Sequence, residues 1–335
     1  MAKTKSTETK QSFEDLVKEL NKKYSGGSSE ETFDLSTGSI LLDHALGGGL
    51  RSGRITEIMA WEGAGKTTIC LHLVAEAQKK GLNVAYIDSE FALDKNYAEA
   101  ISVDWEKLKP SIFQPSCGDD AFDYAQKLLA SGELDLLIFD STSGMIPKSQ
   151  LEAEPGSSNM GKHALLFSKE VPKINSLTAQ NNCVTVFISQ FREKIGVIFG
   201  SPETTQAGNT LKFFASNRIE LRRSMTKEGE TVVGQTTKFK VIKCKTNSPY
   251  GVGSFPITFA VGIDKIVEII DLAKEYLPKE VFNQWGKKTT YKSTEYVTDE
   301  FPTLLTDNEE LYKELKADVM EKIKGVSLVS EEISH

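Results

Sequence analysis

A glycine-rich segment, AWEGAGKTT at residues 60–68, constrains the fold more than any other part of the sequence. It follows an apolar run typical of a strand, RITEIM (54–59), and leads into a helical pattern, KTTICLHLVAEAQKKG (66–81). Between a strand and a helix, this spacing is typical of a phosphate-binding loop. The backbone N–H groups of such a loop lie at the positive end of a helix and can bind phosphate oxygens. The sequence therefore predicts a nucleotide site.

Individual positions of this loop have distinct tasks. Gly63 and Gly65 supply the backbone freedom that brings N–H groups to the phosphates. Lys66 is expected to reach the β- and γ-phosphates, and the Thr67 hydroxyl is expected to bind Mg²⁺. Ala60 stands where most such loops have glycine, but it ends the strand, and alanine fits there if its φ is negative. We therefore expect nucleotide binding, with an incidental lysine beside a glycine-rich turn as the alternative.

Short apolar runs alternate with helical stretches from residue 33 to about residue 262. The runs after the first are NVAYID (83–88), LDLLIFD (134–140) and CVTVFIS (183–189). Nearly continuous apolar strands that alternate with helices indicate an α/β fold with a mostly parallel sheet covered on both faces. Ligands of such sheets bind beyond the carboxyl ends of the strands.

The pattern divides the chain into three parts. Residues 1–32 hold an amphipathic helix, SFEDLVKELNKKY (12–24), capped by Ser12 and followed by a linker. The apolar stripe of this helix must dock either on its own domain or on another copy of the chain. Residues 33–264 form the nucleotide-binding core. Residues 265–335 hold two amphipathic helices around a Lys/Thr/Tyr-rich stretch, which predicts a small C-terminal α/β domain with a short tail.

Polar residues follow three strands at the expected ligand edge. Asp140, followed by Ser141, ends one strand and is suited to orient Mg²⁺ or its water. Glu90 follows another strand and can polarise the water that attacks a γ-phosphate, although Asp88 is a rival for this role. Gln190 follows a third strand, and its neutral amide can sense a γ-phosphate or simply bond to the backbone.

Composition excludes few classes of protein. The 335 residues allow two domains or one large core, and 39% hydrophobic and 26% charged residues are ordinary for a soluble globular protein. No apolar run approaches the ~18–20 residues that span a bilayer, and the polar N-terminus lacks a signal-peptide core, so we expect a cytoplasmic protein without a membrane partner. The four cysteines are too scattered for a zinc site. The net charge of −7 argues only weakly against nucleic acid, because a local basic stripe is sufficient.

Two segments rich in small polar residues, EPGSSNMG (154–161) and GVIFGSPETTQAGN (196–209), have the length of functional loops. Such loops offer N–H groups and hydroxyls to phosphates, and apolar residues in them can wedge between bases. The residues expected to contact a strand by charge or by wedging are Met160, Arg192, Lys194, Ile195 and Ile198. The loops therefore predict sequence-tolerant binding of single strands, with ordinary surface connections as the alternative.

The segment TKFKVIKCK (237–245) places two pairs of lysines on opposite faces of a strand. Lys238 and Lys240 share one face, and Lys243 and Lys245 share the other, so the apolar phase switches near Ile242. A strand end or a β-bulge produces such a switch. A solvated basic edge that discourages aggregation is the alternative to a functional role.

Taken in chain order, several sequence segments resemble those of the bacterial RecA recombinases over roughly residues 33–262. The likeness is carried by LSTGSILLDHALGGGLRSGRITEI (35–58), YIDSEFALD (86–94), NMGKHALLFS (159–168), QFREKIGVIFGSPETTQAGNTLKFFAS (190–216) and KVIKCK (240–245). It implies a RecA-like P-loop ATPase core that uses ATP and Mg²⁺. It also implies a recombinase that forms helical filaments on single-stranded DNA, with ATP between subunits. Such a filament exchanges strands with a homologous duplex in DNA recombination and repair.

The resemblance assigns roles to residues of the nucleotide site. It implies that ATP phosphates and Mg²⁺ are bound by Glu62, Gly63, Ala64, Gly65, Lys66, Thr67, Thr68, Asp140 and Ser141. It implies that Asp94 and Tyr97 contact adenine, Tyr97 by stacking. Glu90 corresponds to the residue that activates water, and Gln190 to the sensor that couples ATP to the DNA loops. Lys243 and Lys245 correspond to a pair that reaches the ATP of the neighbouring subunit.

The resemblance also implies contacts with DNA and between subunits. In the first DNA site it adds Gly161, Lys162, Gly196, Gly208 and Asn209 to the loop residues named above. A second, weaker DNA site corresponds to Arg222, Arg223, Lys238 and Lys240. Phe213 corresponds to a residue that crosses the subunit interface, with a core aromatic as the alternative. The chain departs from the family pattern at Leu165 and Pro172, where arginines hold the DNA backbone, and Lys162 and Lys169 are candidates for compensation.

Two other functions remain open from the sequence. A hexameric helicase has the same core but works as a closed ring. A regulatory paralogue uses ATP only for binding. The N-terminal helix with its linker and the second loop favour a filament, and the presence of Glu90 and Gln190 favours catalysis.

Overall fold

The computed structural model describes residues 12–24, 32–154, 159, 161–193, 203–205, 209–228 and 231–324. Six of the predicted DNA contacts lie outside these residues, namely Met160, Lys194, Ile195, Gly196, Ile198 and Gly208. No helix within the described ranges is long and apolar enough to cross a membrane.

The elements are given in chain order. The helices are α1 (Phe13–Tyr24), α2 (Ile40–Leu46), α3 (Lys66–Lys79), α4 (Lys95–Ala100), α5 (Trp105–Leu108), α6 (Gly118–Ala130), α7 (Lys148–Leu151), α8 (Lys162–Gln180), α9 (Asn209–Phe214), α10 (Lys265–Tyr276), α11 (Phe301–Asp307) and α12 (Glu309–Ile323). The strands are β1 (Asp34–Leu35), β2 (Leu50–Arg51), β3 (Arg54–Ala60), β4 (Val84–Asp88), β5 (Ile112–Phe113), β6 (Leu136–Asp140), β7 (Val184–Glu193), β8 (Glu203–Thr205), β9 (Asn217–Glu228), β10 (Thr231–Cys244), β11 (Val252–Thr258), β12 (Gly262–Ile263), β13 (Phe282–Trp285), β14 (Lys288–Tyr291) and β15 (Thr294–Val297).

A large central sheet orders its strands β12-β11-β10-β9-β3-β7-β6-β4-β5, and β8 pairs with β7. The strands from β9 to β5 run parallel, whereas β8, β10, β11 and β12 are antiparallel to their neighbours. Side chains alternate between the faces, so Leu136 and Ile138 join one buried cluster and Leu137 and Phe139 the other. The predicted α/β fold with a mostly parallel, doubly covered sheet is therefore confirmed.

The N-terminal helix α1 begins with the predicted cap, because the backbone N–H of Asp15 donates to Ser12 Oγ at 3.1 Å. Its apolar stripe remains exposed, with Phe13 80% accessible and Leu16 and Leu20 also exposed. The helix therefore does not bury this stripe on the described part of its own chain. Docking of the stripe on another copy of the chain stays a prediction.

The region after residue 264 contains a three-stranded antiparallel sheet, β13-β14-β15, together with α10, α11 and α12. Its buried residues Leu315, Val319 and Ile323 belong to the same hydrophobic cluster as Leu41 and Leu42 of α2. The hydrophobic core is therefore continuous across residue 264, and the division into domains stays a prediction.

Strand β10 contains the switch of apolar phase that the sequence predicts near Ile242. Its pairing with β9 shifts register between Val241 and Lys243. A bulge at this point reverses the face on which later side chains lie. Lys238, Lys240 and Lys243 lie opposite Arg222, Glu220 and Arg218, which share one face of β9. The predicted switch of apolar phase is therefore present, but the prediction that Lys243 lies on the face opposite to Lys238 and Lys240 is wrong, because the extra residue at the bulge returns Lys243 to their face.

Candidate functional site

The loop between β3 and α3 has the backbone shape that a phosphate site requires. Gly63 and Gly65 have φ values of 71° and 92°, a left-handed region that glycine adopts without strain. An added Cβ at Gly65 would lie 2.5 Å from Ile257 Cδ1, so the end of the Ile257 side chain would also have to shift. Ala60 is buried as the last residue of β3, and its φ is not positive. The alanine therefore fits its position as expected.

Lys66 and Thr67 occupy the first turn of α3, directly after this loop. The Lys66 ammonium donates to the carbonyl of Trp61 at 2.9 Å, and burial lowers the pKa of Lys66. The Thr67 hydroxyl donates to Asp140 Oδ2 at 2.8 Å. One hydroxyl and one carboxylate side by side fit Mg²⁺, which takes few protein ligands when phosphates and water supply the others.

Asp140 lies deep at the carboxyl end of β6, where only 8% of its surface is exposed. Burial raises the pKa of Asp140 to about 6, hydrogen bonds from Tyr86 and Thr67 lower it, and the charges of Glu90 and Asp88 raise it. The Tyr86 hydroxyl donates to Asp140 Oδ2 at 2.6 Å. Because burial makes the Asp140 carboxyl costly to ionise, a nearby cation would strongly stabilise its charged form. This environment again suits a metal ligand.

Glu90 and Gln190 meet at the ligand edge although 100 residues separate them in the chain. The Gln190 amide donates to Glu90 Oε1 at 2.8 Å, and the Ser141 hydroxyl donates to the same oxygen. Asp88 instead accepts from the backbone of Ala92 at 3.2 Å. It also accepts from the side chain of Gln114 at 3.0 Å, so it holds the local chain. The geometry therefore favours Glu90 over Asp88 as the group that faces a water.

These side chains border one cleft of about 260 Å³. The predicted residues that line it are Glu62, Gly63, Gly65, Lys66, Thr67, Thr68, Glu90, Tyr97, Asp140 and Gln190. The Tyr97 hydroxyl is 2.8 Å from Thr68 Oγ1, and Asp94 caps α4 by accepting from the Tyr97 N–H at 2.7 Å. Asp94 thus orients the helix that carries Tyr97.

Three residues of the cleft were missed by the sequence argument, namely Gln235, Ile257 and Phe259. They lie on β10, at the end of β11, and just after it, and these strands reach the cleft only because they add to the sheet beyond β9. Phe259 is 48% exposed. A large aromatic directly after a strand was the one sequence signal that could have drawn attention to it.

Lys243, Lys245 and Phe213 lie away from the cleft of their own chain. The Lys243 ammonium donates to the carbonyls of Lys212 at 2.8 Å and Phe213 at 3.0 Å, at the carboxyl end of α9. Lys245 is exposed. Phe213 is 70% exposed, which argues against its alternative assignment as a core aromatic.

The four residues predicted as a second DNA site do not share one face. Arg222 pairs with Lys238 across β9 and β10, on the face that also carries Lys240. Arg223 pairs with Thr237 on the opposite face, and its guanidinium is 3.5 Å from the carbonyl of Gly63. The strand alternation therefore separates Arg223 from the two lysines and places it against the phosphate loop.

The described residues of the first predicted DNA site lie at the starts of α8 and α9 and near the end of β7. Gly161 caps α8 with a φ of 80°. The Lys162 ammonium donates to Asn159 Oδ1 at 2.9 Å. Arg192 lies near the end of β7 and Asn209 begins α9. Leu165 is 69% exposed on α8, in agreement with a surface position where the family pattern has arginine.

Comparison with known proteins gives consistent matches over most of the chain. The family model described as the RecA N-terminal domain matches residues 12–264. The protein RecA of Cytophaga hutchinsonii is 40% identical over 321 residues, which cover 92% of this chain and 89% of that protein. The protein RecA of Rickettsia bellii is 43% identical over 88% of this chain and 86% of its own length. That of Chloroherpeton thalassium is 41% identical over 88% and 82%, respectively.

Proposed function

The chain belongs to the RecA family, and we propose that it is a DNA-dependent ATPase that forms helical filaments on single-stranded DNA. In this proposal the filament pairs the strand with a homologous duplex and exchanges strands. The observation that carries it is the contact between Gln190 and Glu90. Gln190 lies in β7, the strand that leads into the second loop, so a side chain at the nucleotide site is continuous with the predicted DNA loop.

In the hydrolysis step, water attacks the γ-phosphorus, the bond to the leaving ADP oxygen breaks, and Glu90 accepts the proton of the water. The exposed carboxylate of Glu90 and its position in the cleft support this role. Lys66 and the loop N–H groups bind the phosphate oxygens and stabilise the charge that develops on them. Mg²⁺, held by Thr67 and Asp140, would neutralise further phosphate charge. Phe259 and Tyr97 are proposed to contact the base.

Several features support a site that is completed between subunits. A cleft of about 260 Å³ is smaller than the ~300–1,000 Å³ that usually enclose a ligand of this size. Lys243 and Lys245 are basic residues beyond their own cleft, available to the ATP of a neighbour. The exposed Phe213 and the exposed stripe of α1 are apolar surfaces suited to a second copy of the chain.

The DNA-binding part of the proposal depends on basic residues near the two loops. Lys162 and Arg192 are placed at the ends of these loops, and Arg222, Lys238 and Lys240 are proposed for the weaker second site. Phosphate contacts of this kind position a strand without reading its sequence. Since strand exchange must accept any sequence, loops of small polar residues suit this activity.

Strand exchange between homologous DNAs tests the function directly. We expect a labelled single strand to replace its counterpart in a homologous duplex when ATP and Mg²⁺ are present. Omission of ATP and a duplex of unrelated sequence serve as controls, and both should give no product. Electron microscopy with a nonhydrolysable ATP analogue should show helical filaments. Closed rings alone would favour the helicase, and ATP turnover without stimulation by single strands would favour the regulatory paralogue.

A further inference from the structure

A second set of contacts joins the phosphate loop to β8, a short strand within the second predicted DNA loop. Trp61 directly follows β3, and its indole N–H donates to Glu203 Oε1 at 2.7 Å. Glu203 begins β8, which pairs with the end of β7 in the register Phe191 to Thr205. The phosphate loop therefore contacts the short strand β8, which lies within residues 196–209, through a single side chain.

Arg222 of β9 holds the other side of this carboxylate. Its Nη1 donates to Glu203 Oε1 at 2.7 Å, and its Nη2 contacts the second oxygen of Glu203. The guanidinium also lies 5.2 Å from the ring centroid of Phe191, whose ring is 6.1 Å from that of Trp61. Hydrogen bonding to Arg222 lowers the pKa of Glu203, so the carboxylate stays charged. The four side chains form one connected group.

The group is connected to the phosphate site by Lys66. The Lys66 ammonium donates to the main-chain carbonyl of Trp61 at 2.9 Å. An ammonium has three donors, so Lys66 can hold this carbonyl and a phosphate oxygen at the same time. The position of the phosphate then fixes the position of residue 61, and with it the indole that holds Glu203.

We propose that Trp61, Glu203 and Arg222 are positioning residues that transmit nucleotide binding to the second DNA loop, by a path that does not pass through Gln190. The proposal rests on the proposed function, because it assigns a route for coupling between ATP and single-stranded DNA. Gln190 reaches this loop through β7, whereas Trp61 reaches it through β8. One path contacts the strand that leads into the loop, and the other contacts the short strand within it.

The partial exposure of these side chains indicates that their contacts position the loop more than they stabilise the fold. The side chains of Arg222 and Glu203 are 44% and 20% exposed, and Trp61 is 37% exposed. Ion pairs with this much solvent contribute little to stability. A charge-assisted contact that differs between two states of a loop can still set the coupling between two ligands.

The substitution Trp61→Phe tests the path, because it keeps an aromatic ring and removes the N–H donor. Trp285→Phe, at an 83% exposed tryptophan on the three-stranded sheet, is the matched control. The measurement is the affinity for a fluorescent oligo(dT), with and without a nonhydrolysable ATP analogue. We expect the ratio of these affinities to fall by about fivefold or more in Trp61→Phe. Affinity for a fluorescent ATP analogue should stay at the wild-type value, and Trp285→Phe should match wild type in both measurements.

Glu203→Gln gives an independent variant, because it removes the charge that Arg222 holds. We expect a similar loss of coupling, and we expect the double variant to lose no more than the larger single effect, since both act on one contact. Wild-type coupling in both single variants, or fully additive losses, would overturn the path. If wild-type protein itself shows no effect of nucleotide on oligo(dT) binding, the proposed function fails rather than this inference.

Discussion

Replacing Glu268 by glutamine should remove a pH dependence from the stability of the protein. Glu268 lies on α10 with 1% of its surface exposed. Its Oε1 accepts from the Ser39 hydroxyl at 2.6 Å and from the Leu41 N–H at 3.1 Å. Its Oε2 accepts from the Ile40 N–H at 2.9 Å. The side chain therefore ties α10 to the N-terminus of α2, across 229 positions of the sequence.

The magnitude follows from the pKa of this carboxyl. Burial raises the pKa of Glu268 from 4.5 to about 7, against three hydrogen bonds that lower it, and the charge of Asp43 raises it further. The folded protein therefore keeps a proton that the unfolded chain loses. This contribution is fully present below about pH 4.5 and is lost as the pH rises through about 7. At about 1.4 kcal/mol per pKa unit, the loss amounts to about 3 kcal/mol.

The free energy of unfolding in urea, measured from pH 4.5 to pH 8 without nucleotide or DNA, tests this argument. Glu268→Gln should be about 1–3 kcal/mol less stable at low pH, because its amide nitrogen faces a backbone donor. The decline with pH should be shallower by about 3 kcal/mol over the whole range. Other groups contribute to the pH dependence of wild type and variant alike. Asp43 and Asp140, whose pKa burial raises to about 6, give declines of the same sign, and His72, whose pKa burial lowers to about 4, gives a rise. Glu275→Gln, at an exposed position of the same helix, is the control. An unchanged decline in Glu268→Gln would refute the reasoning.

Three further predictions concern the proposed activity. Glu90→Gln should keep ATP and DNA binding but lower ATP turnover by about 10²–10⁴-fold, measured by phosphate release; near-normal turnover would move the base elsewhere. Phe213→Ala should raise the protein concentration needed for filament assembly by about tenfold or more, measured by light scattering. Val297→Ala, at another exposed apolar side chain, should not raise it. Affinity for oligo(dT) should fall linearly with salt on logarithmic axes through counterion release, and a flat response would contradict phosphate contacts by the basic residues.

Much of the nucleotide site could be predicted from local sequence. The loop with Gly63, Gly65 and Lys66 spans only a few consecutive residues. Its residue spacing is therefore enough to predict its backbone geometry. Asp140, Glu90 and Gln190 could be placed at one edge because each follows an apolar strand, and parallel strands bring their carboxyl ends together. The apolar stripe of α1 and the switch of apolar phase near Ile242 were likewise visible in the hydrophobic pattern, although the exposure of the stripe and the bulge at the switch were not.

Other features depend on pairing between strands that are distant in sequence. Arg223 resembled a DNA contact beside Arg222, but adjacent residues of a strand face opposite sides, and only the register of β9 against β3 and β10 shows which side carries the phosphate loop. Phe259 likewise reaches the cleft only through the pairing of distant strands, since it follows β11, which pairs with β10. The contact between Trp61 and Glu203 joins two short segments whose local patterns contain no sign of each other.

The sequence by itself determined that apolar strands alternate with helices in the core and which loop has the shape to bind phosphate, because those properties follow from hydrophobic period and from the backbone freedom of a few glycines. Only the tertiary structure decided which charged side chains share a face, which carboxylates are buried, and which groups connect the nucleotide cleft to the loop beyond β7. Those properties depend on strand register and on contacts such as that of Ser39 with Glu268, where the energy comes from groups brought together by the fold.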